Sequence, residues 1–240
     1  MRSSQSSLPE SIQREVYAAI ERARTPSDGS AIIATAEEQI AKSWDAEFAV
    51  AVAVAILNGN AASPRIVAKL SRQDTAQFAP SDTALILLAL ESSGVESRAK
   101  WRALAERGRV SNPDINAVAL SALCHAMAAP RGDMGAPSPA ALAHLRWIGK
   151  RLNLGYGNTP TGGDDDILTP ETAFYTALAA SHLPRSVFVA DNPPLPYDWR
   201  NHLAARLVAR QRFDPATRSY NWGDPRDSNF AILTLKLISN

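Results

Sequence analysis

Five stretches of this chain are apolar almost all the way round a helix: SWDAEFAVAVAVAIL, PSDTALILLALES, NPDINAVALSALCHA, TPETAFYTALAAS and PRDSNFAILTLKLIS. Between them run segments of another kind. PRIVAKLSRQ, RAKWRALAERGRV, SPAALAHLRWIGKRL and DWRNHLAARLVARQRF carry Arg and Lys on one side and Leu, Ala, Trp or Val on the other. A helix that is apolar on every face is buried, whereas one with a single wet face lies outside a core. The pattern predicts inner helices alternating with outer ones. AVAVAVA also has the period of two that suits a strand. Ala is a strong helix former and this run belongs to the repeating series, so it is assigned to a helix. Strand signals are otherwise poor.

The starts of these elements are written in the sequence. Ser63-Pro64, Asn112-Pro113, Ser138-Pro139 and Thr169-Pro170 each precede an Ala/Leu-rich run. A side-chain oxygen at the N-cap followed by Pro at the first helical position is a helix start, because the missing N–H of Pro costs nothing there. Leu8-Pro9, ahead of ESIQREVYAAIERA, is a weaker form of the same device. An acidic residue heads each inner run: Asp45, Asp82, Asp114, Glu171 and Asp227. An acid in the first turn is favoured by the helix dipole by about 0.3–1 kcal/mol, which accounts for these five without any function. Internal repetition of roughly 30 to 60 residues points to stacked or closed helical hairpins. The expected fold is all-α, a single domain over residues 1–240 with residues 1–8 as a flexible tail.

Composition narrows the function classes. The 240 residues are 45% hydrophobic and 20% charged, ordinary for a globular chain, and the formal net charge is +1. No global field recruits nucleic acid or a membrane surface. The longest apolar run, residues 48–57, is far short of the roughly 18 to 20 residues that span a bilayer. The polar N-terminus lacks a secretory apolar region, and the one cysteine, Cys124, cannot form an intramolecular disulfide. A cytoplasmic location is the expectation.

The segment LVARQRFDPATRSYNWGDPRDSNFAILTLKLI, residues 207–238, resembles a repeat of the α/α-toroid superfamily, which holds squalene-hopene cyclases, related class II terpene cyclases and protein prenyltransferase β subunits. Gln211, Trp222, Gly223 and Asp227 follow the order of that repeat, with a spacing looser than its compact form. SRQDTAQFAPSDTALILLALES resembles a second copy, with Gln73, Phe78, Asp82 and Thr83. The resemblance implies an α/α toroid or an open arc of about five helical hairpins. Inner helices would line a central cavity, with their N-termini at one mouth. It also implies an enzyme acting on a hydrophobic or isoprenoid-like small molecule. In class II cyclases an Asp-x-Asp-Asp motif at such an N-terminus donates the initiating proton; here three adjacent Asp stand ahead of the helix headed by Glu171.

Two long stretches break the rhythm: residues 153–168, rich in Gly and Asp, and residues 184–198, rich in Pro. Loops of this length within a compact domain are often functional. The first holds Asp164, Asp165 and Asp166, which lie too far before the helix for the dipole to explain them. These three and Glu171 are the candidate catalytic residues. A partly buried carboxyl among them would serve as a general acid, and an open cluster would hold a hard divalent cation such as Mg2+. Tyr156, Tyr220, Trp222, Asp82, Asp114 and Asp227 are the candidate substrate-binding residues around the mouth. The plainer reading is a solvated acidic loop, with Trp222 used in repeat packing. The 7% aromatic content is low for a cation-stabilising cavity. Two rival functions therefore stand beside the isoprenoid enzyme: a non-catalytic helical scaffold for a ligand or a protein partner, and a carbohydrate-active (α/α) barrel using paired carboxylates.

Overall fold

The computed structural model describes residues 8–24, 29–107, 114–129, 137–151, 168–188, 193–195, 198–216 and 218–239. Among these residues the chain forms eleven α-helices and one short β-ribbon. The helices are α1 (Glu10–Arg24), α2 (Ser30–Glu38), α3 (Ala46–Leu57), α4 (Pro64–Ser71), α5 (Pro80–Ser92), α6 (Arg98–Arg107), α7 (Ile115–Ala128), α8 (Pro139–Arg151), α9 (Pro170–Ser181), α10 (Trp199–Ala209) and α11 (Pro225–Ile238). The ribbon, β1 (Arg212–Asp214) and β2 (Ser219–Asn221), lies in the α10–α11 connection and is antiparallel, with Phe213 opposite Tyr220. The sequence pattern does not foretell it, because three-residue strands are too short to show a period of two.

Three of the four predicted Pro-containing starts bear out the capping pattern; the fourth does not, since α7 is capped by Asp114 and begins at Ile115, and Asn112-Pro113 lies outside the described residues. Ser63 Oγ accepts from the Ile66 amide, Ser138 Oγ from that of Ala141 and Thr169 Oγ1 from that of Thr172. Asp45 and Asp114 are themselves N-caps, accepting from the amides of Phe48 and Ala117. Asp82, Glu171 and Asp227 sit two or three residues past their caps, in first turns. AVAVAVA is helical, inside α3. Leu8, expected in a flexible tail, is buried, and its carbonyl accepts from the Gln13 side chain; residues 1–7 lie outside the described residues.

Helix contacts fall into two compact units, Thr25–Ala141 and Met1–Arg24 with Leu142–Asn240. In the first, α5 is central and packs on α3, α4, α6 and α7, while α2 covers α3 and α4. Every α5 residue from Thr83 to Leu90 is buried, as a helix apolar all round requires. Outer α4 and α6 bury only a stripe, Ile66 and Leu70 on one and Trp101, Leu104 and Ala105 on the other. Arg107 at the end of α6 donates to the carbonyls of Thr75 and Phe78 and so braces the turn that leads into α5.

In the second unit, α9 and α11 pack face to face, α10 lies against both, and α1 packs on α10 and α11. α10 is more buried than an outer helix should be: Trp199, His202, Leu203, Ala204, Ala205 and Leu207 are all enclosed. His202 is a buried residue because α1, α9 and α11 surround its helix. Within α8, Gly149 leaves room for the backbone carbonyl of Pro194, which a Cβ at that position would strike. Among the described residues no helix is long and apolar enough to cross a membrane.

Candidate functional site

Glu171 and Asp227 come to the same end of the α9–α11 pair. Each stands in the first turn of its helix, set there by a capped, Pro-containing start: Thr169-Pro170 for α9 and Asp224-Pro225 for α11. Asp224 Oδ1 accepts from the Asp227 amide at 2.8 Å. Three residues further along each helix the rings of Phe174 and Phe230 meet at 5.6 Å, and Tyr175 meets Phe230 edge-on at 5.6 Å. This aromatic cluster fixes the two helix starts side by side.

The two acids differ in their surroundings. Glu171 is satisfied. Its Oε1 accepts from the Tyr175 hydroxyl at 3.0 Å and lies 3.5 Å from Arg226 Nη2. Its side chain is only 17% exposed, so both partners act at reduced solvent screening. Asp227 is the opposite case. Burial raises its carboxyl above the ordinary Asp value, and the neighbouring Asp224 and Glu171 carboxylates raise it further. Arg226 and Arg210 pull the other way and do not prevail. The arrangement sets a carboxylate that has a hydroxyl and a guanidinium for partners beside a carboxyl that resists ionisation.

Arg210 closes one side of the unit: it caps α10 and its guanidinium donates to the Leu168 carbonyl, just before α9. The ribbon supplies the approach to α11. Trp222 is buried; its indole N–H donates to the Leu207 carbonyl at 2.7 Å, and its amide donates to Ser228 Oγ. It is a packing residue that ties the ribbon to α10 and α11. Gly223 follows at φ +106°, a left-handed turn that glycine takes without strain. Tyr220 is exposed, with the Phe213 ring at 5.2 Å and the Arg22 guanidinium 4.4 Å over its face.

The other predicted residues are placed elsewhere. Asp82 and Asp114 belong to the Thr25–Ala141 unit, at the starts of α5 and α7. Tyr156 and Asp164, Asp165 and Asp166 lie outside the described residues. No group of three or more His, Cys, Asp or Glu residues is arranged to hold a metal ion among the described residues. Three members of the site were not singled out in the sequence: Tyr175, Arg210 and Arg226. Tyr175 was within reach, because Glu171 and Tyr175 are an i,i+4 pair on one helix face. Arg226, next to Asp227 in PRDSNF, was also visible, but its partner on α9 was not.

The fold and site together define an all-α protein of alternating buried and amphipathic helices, with an acidic pair at the start of one helix couple. No protein family, curated protein or solved structure matches the chain.

Proposed function

We propose that this chain is an enzyme that transfers a proton at the start of the α9–α11 pair, with Asp227 as general acid and Glu171 as its carboxylate partner. The observation that supports this is the setting of Asp227. Burial and the neighbouring Asp224 and Glu171 push it toward its protonated form, while Glu171 is held in place by the Tyr175 hydroxyl and Arg226. Two carboxyl groups whose environments drive them apart are the working parts of acid–base chemistry. The substrate class that suits the mouth is polar and hydroxylated. Asp224 and Arg226 are exposed and Asp227 is half-buried, so the acid meets water and polar groups rather than a dry hydrocarbon channel. This favours the paired-carboxylate, carbohydrate-active reading over the isoprenoid one. Asp227 would protonate the departing oxygen, and Glu171 would act on the opposite side as base or nucleophile.

The test is a turnover screen of the whole chain against oligosaccharides and aryl glycosides, with polyprenes and prenyl diphosphates in a parallel arm. The expected result is glycoside cleavage that falls roughly 10²- to 10⁴-fold in Asp227→Asn, with the circular dichroism spectrum unchanged. Turnover confined to the prenyl arm would replace the substrate class and keep the acid. No turnover in either arm, together with an ordinary titration of Asp227 by NMR, would sink the enzymatic reading.

A further inference from the structure

The Thr25–Ala141 unit has a cavity of its own, of about 200 Å³, between α5, α6 and α7. It is unrelated to the acidic mouth of α9 and α11. Small side chains open it: Ala105 on α6 and Ala117 and Cys124 on α7 stand where larger residues would close the space. From the N-cap and α7 come Asp114, Asn116, Ala117, Leu120, Ser121 and Cys124, of which all but Asn116 follow one face. Their spacing of about three to four residues is one stripe down a helix, about 15 Å from first to last at 1.5 Å per residue. Exposure falls along that stripe. Asp114 is exposed, Ala117 and Ser121 are half-buried, and Leu120 and Cys124 are buried. The floor is completed by Leu104 and Ala105, both buried. Burial pushes the Cys124 thiol up to about 12, so it stays uncharged at neutral pH.

A slot with a charged rim and an apolar floor selects its occupant. A dry cavity of about 150 Å³ takes up benzene, so this one accommodates a single ring with a short arm. At the rim Asp114 is an acceptor. One of its oxygens caps the Ala117 amide at 2.7 Å, and a carboxylate has further lone pairs to offer. We propose that the α5–α6–α7 cavity binds a small ligand with an apolar body of about benzene size and a hydrogen-bond-donating head, an amine or an alcohol, that docks on Asp114. A carboxylate head is excluded by charge repulsion at the rim.

Titration of the full chain with benzylamine, benzyl alcohol and benzoate, followed by amide NMR shifts, tests this. Benzylamine and benzyl alcohol should shift Ala117, Leu120 and Cys124 saturably, and benzoate should bind at least tenfold more weakly. Asp114→Asn keeps a good N-cap and removes the charge. It should weaken benzylamine at least tenfold and benzyl alcohol less than threefold. Ala117→Phe, at a half-buried rim position, should abolish both without loss of the folded spectrum. Equal binding of benzoate, shifts away from α7, or undiminished binding to Ala117→Phe would each overturn the proposal.

Discussion

Thr176 sits on α9, fully buried, and its hydroxyl has no hydrogen-bond partner among the described residues. A buried hydroxyl left unpaired costs about 1–3 kcal/mol of desolvation. Valine has nearly the same shape and nothing to desolvate. Thr176→Val should therefore hold or raise stability, by up to about 1 kcal/mol, read as a rise of about 2–4 °C in Tm. A fall of similar size would mean that the hydroxyl finds an acceptor in solution. Trp101, with its indole N–H likewise enclosed and unbonded, belongs to the same category on α6. Glu171 and Asp227 are of another kind: Glu171 has a hydroxyl and a guanidinium as partners, while Asp227 is raised by burial and by two neighbouring carboxylates.

Helix starts are the part of this fold most openly written in the chain. Ser63, Ser138 and Thr169 cap the helices that their Ser/Thr-Pro pairs announce, because a cap is a contact between residues three apart. The ribbon at Arg212–Asn221 and the full burial of α10 were not legible. Both depend on neighbours that are distant in sequence. The same limit hid the site: Glu171 and Arg226 are joined only when α9 lies on α11. Gly149 shows a third case, in which a residue unremarkable in sequence is required by a close approach. Alanine is the better helix former by about 1 kcal/mol, so propensity alone says that Gly149→Ala stabilises. The carbonyl of Pro194 says the reverse. The expected outcome is a net loss of about 1–3 kcal/mol in chemical denaturation, since backbone must move to admit the methyl group. A gain would show that the 193–195 segment yields freely.

At the scale of the molecule, the acidic mouth sets a pH dependence. The folded carboxyl of Asp227 titrates above the ordinary value of 3.8. Below 3.8 it is protonated whether folded or unfolded, and it has no effect on stability. As pH rises past 3.8 the unfolded chain releases its proton first, so stability falls until the folded carboxyl also ionises. Asp227→Asn removes this penalty. Its stability should match that of the unsubstituted chain at pH 3 and exceed it at pH 7, measured by urea denaturation at both values. An advantage that is the same at both would mean that the carboxyl is not perturbed in the folded protein.

The unit that carries this mouth is discontinuous in the chain. α1 packs on α10 and α11, and all of Thr25–Ala141 lies between them. During synthesis α1 leaves the ribosome first among the described helices, and its partners come last. The Thr25–Ala141 unit draws only on neighbouring segments and can assemble while translation continues. α1 must wait, its apolar face of Val16, Ala19 and Ala23 uncovered, until α11 has emerged. A contact of such long sequence separation is slow to form. The interval between those two events is when a nascent chain of this protein most needs a chaperone to cover it.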